Sequence, residues 1–160
     1  MDVEIILCYI SVSILVVFII FLLRPIKDLS FKAISLTPSE MKWFDHVSTY
    51  HNGIKISDLV GNLKKPEPYS RRIILPANMV ENPHYHLDRA RTITIISGTL
   101  YYAYGDRYDE SKLKAFPAGS FITEPRKIPH FVVTKKEGVI LQVSGIGPSK
   151  TVYLDNKRRG

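Results

Sequence analysis

One cysteine in 160 residues excludes a disulfide framework, because Cys8 has no partner in the chain. It lies inside an apolar segment and too early for a lipoprotein processing site, so it leaves the redox compartment open. Internal repeats and low-complexity tracts are absent, which excludes a repeat array. Helix-period stretches are scarce beyond Lys42, which argues against a helical domain. No nucleic-acid-binding motif accompanies the basic composition, and nucleic acid is not expected as a partner.

Charge is missing altogether from Ile5 to Leu23, "IILCYISVSILVVFIIFLL". Nineteen residues in a helix span roughly 28 Å, close to the hydrocarbon thickness of a bilayer. A cleavable signal would need a basic start, a shorter apolar core and small residues at a cut site. Here Asp2 and Glu4 precede the run and "FLLRP" follows it, so the segment is expected to be an uncleaved, single-pass transmembrane anchor. Acids before it and Arg24, Lys27 and Lys32 after it favour a cytoplasmic C-terminal domain. The formal charge is +7; setting aside Asp2 and Glu4 leaves 22 basic against 13 acidic side chains in residues 24 to 160, or +9. A basic surface beside anionic lipid accounts for that excess, and the tail "NKRRG" fits the same account.

The layout expected is an anchor over residues 1–24, a linker over 25–41 holding Pro25 and Pro38, a domain over 42–155 and a basic tail over 156–160. The domain reads as all-β: short β-rich runs alternate with turn residues. Strands are expected at Arg71 to Ala77, Arg91 to Ser97, Thr99 to Gly105, Ser120 to Pro125, His130 to Lys135 and Val139 to Gly145, with Thr151 to Asp155 at a sheet edge. "KEG" at Lys136 to Gly138 suits a hairpin. Many short strands in one domain imply a sandwich or a closed barrel.

Two histidines, His84 and His86, stand at i and i+2, so on an extended segment both imidazoles point to one face. His130, also after a proline and opening an apolar strand, supplies a third. Three imidazoles from two strands make a half-shell for one divalent cation, with positions left for water or substrate. An H-x-H pair alone is weak evidence, since solvated histidines at that spacing are common. His46 and His51 have no such pattern and read as loop residues.

Context strengthens the case. The segment "NPHYHLDRARTITIISG" together with "PAGSFITEPRKIPHF" resembles the two motifs of the cupin superfamily, and the likeness covers Lys42 to Asp155. His84, His86 and Gly98 match the first motif; Gly119, Pro125 and His130 match the second at its spacing. The resemblance implies a single jelly-roll β-barrel with the histidines facing inward. Three positions depart from it: Arg91 stands where the family has a glutamate ligand, Lys127 replaces a turn glycine, and Thr134 replaces an asparagine.

Arg91 is the serious departure, because a guanidinium has no lone pair to donate and stays charged. Either it turns outward from a three-histidine site, or the metal is absent, or it points inward and holds an anionic ligand bidentately. Asp88 or Glu124 can answer for the lost carboxylate, the alternative for each being an exposed loop acid. Tyr102 is the leading aromatic for a ligand pocket, while Tyr85, Tyr101, Tyr104 and Phe131 read chiefly as barrel packing. The acidic loop Asp106 to Glu110 reads as a hairpin connection without calcium-loop spacing.

The expectation is a membrane-anchored cupin-type barrel that binds Zn, Fe, Ni or Cu through His84, His86 and His130 and takes a small organic ligand near Arg91 and Tyr102. Whether it is an enzyme is open, and the rival is a non-catalytic, metal-free binding or sensor barrel. A homodimer follows from family precedent alone.

Overall fold

Runs in which Val, Ile, Thr and Tyr alternate with polar residues form the strands of this computed structural model, which describes residues 32–46 and 52–154. The expected membrane span and the basic tail lie outside the described residues. Among those that are described, no helix is long and apolar enough to cross a membrane. The strands described are β1 (Phe44–Asp45), β2 (Lys55–Val60), β3 (Pro68–Leu75), β4 (Val80–His86), β5 (Ala90–Ser97) and β6 (Thr99–Tyr104). They continue with β7 (Lys114–Pro117), β8 (Phe121–Thr123), β9 (His130–Val133), β10 (Val139–Ile146) and β11 (Thr151–Tyr153).

Two antiparallel sheets result, ordered β1-β2-β3-β10-β5-β8 and β11-β4-β9-β6-β7. Period-two patterning decides which residues they bury between them. In "RTITIIS", Ile93 and Ile95 face inward while Ile96 and Ser97 are exposed. Leu141 and Val143 of β10 join them, and from the other sheet come Leu100, Tyr102 and Val132. Fully burying such a side chain contributes about 1.5–3 kcal/mol. All four residues of β9 are buried, and Tyr108 of the β6–β7 connection covers the outward Phe131, their rings 5.2 Å apart.

Gly98 is the sole link between β5 and β6, which belong to different sheets, so the chain turns a corner there. Its φ of 78° is left-handed, and a Cβ would stand 3.3 Å from the Val139 Cα of β10. Glycine meets both demands. The expected hairpin at Lys136 to Gly138 is corrected: β9 and β10 lie in different sheets, so this turn is a crossover. β1, β2 and β7 were not foreseen; β7 is four residues with no buried side chain, and "KISDLV" alternates weakly.

Thr134 performs a structural task. Its hydroxyl donates to the Pro76 carbonyl (2.6 Å) and accepts from the Met79 amide (2.9 Å), tying the crossover to the entry of β4. Lys127 keeps the left-handed backbone of the glycine it replaces, with φ 63°. The turn is closed by Ile128 N–H on the Pro125 carbonyl (3.1 Å), and Lys127 N–H donates to the carbonyl of His86 (3.0 Å).

Candidate metal centre

β4 delivers His84 and His86 to the interior on one face, both buried, with Tyr85 turned the other way. β9 places His130 directly opposite His84 in register. The ring centroids of His84 and His130 are 4.3 Å apart, those of His84 and His86 5.1 Å, and those of His86 and His130 5.2 Å. One ring nitrogen from each lies within 4.8 Å of the others, a set able to hold a metal ion.

The outer nitrogens are occupied. His84 Nδ1 is 2.8 Å from the Asn82 carbonyl and His130 Nδ1 is 3.2 Å from the Ile128 carbonyl. A carbonyl only accepts, so both Nδ1 atoms carry the proton and both Nε2 atoms present a lone pair. His86 Nδ1 meets the Thr151 hydroxyl at 3.1 Å. β11 runs beside β4 with Thr151 paired to His86 and Tyr153 to His84, so this edge strand backs the histidines.

A carboxylate lies inside the cluster. Glu124, 3% exposed, places Oε1 at 3.0 Å from His130 Nε2 and Oε2 at 3.6 Å from His86 Nε2. The His130 contact is too poorly aligned for a hydrogen bond, and that nitrogen has no other partner among the described residues. Arg91 donates from Nε to Glu124 and from Nη1 to the Tyr69 hydroxyl (3.1 Å). Tyr69 in turn donates to Asp88, which also accepts from Ser149 (3.0 Å). Glu81, on the other side, is 3.9 Å from His84 Nε2 and accepts from Tyr153 (2.8 Å).

Burial sets the protonation states. It pushes His86 down to about 2, helped by the neighbouring Arg91 cation, and it lowers His84 as well. Both are neutral imidazoles near neutral pH, the form that ligates metals. Burial opposes ionising Glu124, but Arg91 and the histidines outweigh it and hold the carboxylate below its usual range. Arg91 stays charged, since Glu124 more than offsets its desolvation.

His84 and His86 border a cavity of about 140 Å³. Its floor is apolar, with Ile54, Ile73, Leu75 and Leu141, and its polar end holds His84, His86, Glu124, Arg91 and Glu81. Exposed His46 stands at its edge with Arg71. Tyr102 does not border the cavity; it stacks on His130 at 5.3 Å and 18°, its hydroxyl buried without a well-aligned partner. Asp88 and Glu124 are both buried, so the exposed-loop reading holds for neither. Glu81, Thr151 and Tyr153 were not singled out from sequence. Their only signal is alternation, and it becomes readable once β4 and β11 are paired.

No family model matches the chain, and no curated protein matches it either. Solved structures do. The polyketide cyclase RemF from Streptomyces resistomycificus superposes with a TM-score of 0.62 at 16% identity, over 78% of this chain and 89% of that one. An RmlC-like cupin from Shewanella frigidimarina gives 0.55 at 16%, over 74% and 93%. A chain from the structures of the DMSP lyases RdDddP and RnDddQII gives 0.57 at 14%, over 71% of this chain and 62% of that one. This chain therefore spans less than two thirds of that lyase chain. The fold is the cupin fold.

Proposed function

We propose that this cupin-fold chain binds one divalent metal ion through His84, His86 and His130 and receives a small organic molecule in the adjoining cavity. The observation that carries the reading is the convergence of three buried imidazoles, with one ring nitrogen each from His84, His86 and His130 within 4.8 Å of the others. Imidazole ligands suit Zn, Fe, Ni or Cu. A bound ion of this kind supplies Lewis acidity toward a ligand oxygen or activates water or dioxygen. The chain's own part is to orient: Arg91 fixes the polar end of the cavity, and the apolar floor takes the body of the ligand. The fold hosts catalysts and binding proteins alike, so turnover is left to the site and not to the likeness.

The second reading, a metal-free binding barrel, is favoured by one feature: the Arg91 cation borders the same cavity as His86. Metal content of the purified chain separates the two. Stoichiometric metal that is lost in His84→Ala supports the first reading, while a metal-free protein that still binds a small molecule supports the second.

We further propose that residues 5 to 23 anchor the barrel as a single-pass span with the domain cytoplasmic, supported by length, apolarity and flanking charge. Protease access on intact cells tests it, and digestion of the barrel from outside contradicts it. Pairing of two copies is proposed on family precedent; sedimentation as a monomer contradicts it.

A further inference from the structure

The metal-binding reading raises a question about charge. Three imidazoles alone leave a divalent ion without an anionic ligand, and position 91 offers a cation. Resting on that reading, we infer that Glu124 is the carboxylate ligand of the centre, delivered from the strand next to β5, with Arg91 as its positioning residue.

Distances support this. Two ligands each about 2.1 Å from one ion stand roughly 3.0 Å apart at a right angle and roughly 3.4 Å apart at a tetrahedral angle. Glu124 oxygens lie 3.0 Å and 3.6 Å from the Nε2 atoms of His130 and His86. The first, from Oε1 to His130, is the separation of two ligands sharing an ion at a right angle; the second is made by the other oxygen, Oε2, which Arg91 holds.

Topology explains how the carboxylate arrives. β5 and β8 pair antiparallel with Thr92 opposite Thr123, so the next rung sets Arg91 opposite Glu124. Glu124 N–H donates to the Arg91 carbonyl at 2.8 Å, which closes that rung. A side chain reaching inward from either residue arrives at the same end of the cavity, and both border it. The acid has moved one strand sideways.

Arg91 need not repel the ion. Its Nε meets Oε2, whereas Oε1 faces His130, so the carboxylate stands between the guanidinium and that histidine. Tyr69 holds the far side of the guanidinium. The other nearby acids are less suited: Asp88 is committed to Tyr69 and Ser149, and Glu81 approaches only His84, at 3.9 Å.

Two double variants test the assignment without leaving a buried charge unpaired. In Arg91→Gln/Glu124→Gln the rung is neutral and lacks a carboxylate; in Arg91→Glu/Glu124→Arg the charges are exchanged across it. Each full-length protein is stripped with chelator, checked for an unchanged melting transition, and titrated with Zn²⁺, then with Co²⁺ to record the ligand-field spectrum. The Gln/Gln protein is expected to bind Zn²⁺ about a hundredfold more weakly or worse, beyond the roughly 10- to 100-fold typical of losing a group that only orients a ligand. Its Co²⁺ spectrum should change. The exchanged protein should stay within about tenfold of wild type, since a carboxylate still reaches the ion from the opposite residue. Wild-type-like Zn²⁺ affinity in the Gln/Gln protein overturns the assignment while leaving the three-histidine reading intact. Equal loss in both doubles assigns the effect to packing and also overturns it. A wild-type chain that takes up neither ion removes the metal reading and this inference together.

Discussion

Arg91 and Glu124 face each other across one rung of β5 and β8, joined by a backbone hydrogen bond of 2.8 Å and by a side-chain ion pair inside the barrel. Their side chains are 10% and 3% exposed, so water does little to solvate either charge. Removing one partner strands the other. Arg91→Met is expected to cost about 3–5 kcal/mol of folding stability, read as a lower urea midpoint of the chelator-treated protein. An unchanged midpoint would mean that the carboxylate is neutralised by something other than Arg91.

Thr151 touches no expected ligand atom, only the outer nitrogen of His86, at 3.1 Å. Thr151→Val keeps the shape and removes that hydrogen bond. The expected result is a drop in metal affinity of roughly 10- to 100-fold, with little change in the melting of the metal-free protein. Calorimetric titration with Zn²⁺ checks it, and unchanged affinity would show that His86 is oriented by packing alone.

Lys127 holds φ at 63° where a side chain is disfavoured. A left-handed residue with a Cβ costs about 1–2 kcal/mol, and glycine loses roughly 0.5–1 kcal/mol more chain entropy on folding. The first exceeds the second, so Lys127→Gly is expected to stabilise the barrel by about 0.5–1 kcal/mol. Denaturant unfolding measures this. A destabilised variant would show that the lysine side chain makes compensating contacts.

Acid should weaken the metal-free protein in two stages. His86 is held at about 2, burial first and Arg91 second, against an ordinary 6.5, and burial lowers His84 in the same direction. Below pH 6.5 the unfolded chain therefore binds protons that the folded chain refuses. Stability is complete above that value and falls with falling pH, by about 1.4 kcal/mol per pH unit from His86 alone. Glu124, held below its ordinary 4.5 because Arg91 and the histidines outweigh burial, adds to the loss below that pH. Melting curves from pH 8 to 5 should be level at first and then decline. Curves that stay level down to pH 5 contradict the buried, neutral imidazoles.

The fold class and the histidine face are legible in the sequence for a plain reason: both follow from period-two alternation. "HYH" puts two imidazoles on one side of any strand, and "RTITIIS" announces its own inner face. His130 required the motif likeness, because 43 residues separate it from His86. Asp88 and Glu124 are equal candidates by sequence, which does not supply the pairing of β5 with β8. That pairing alone sets Glu124 opposite Arg91. The hairpin expected at Lys136 to Gly138 failed for a related reason: turn chemistry marks where a chain bends, but not which sheet it enters. The Thr151 and Tyr153 contacts were hidden likewise, since β11 is three residues long and only its register with β4 gives them meaning.

X-ray absorption at the metal edge of the Zn²⁺-loaded, full-length chain tests the three-histidine claim most directly. The expected spectrum has a first shell of nitrogen and oxygen at about 2.0–2.2 Å, with outer-shell imidazole scattering that weakens in His130→Ala. A shell of oxygen alone, with no imidazole signature and no response to His130→Ala, would contradict it.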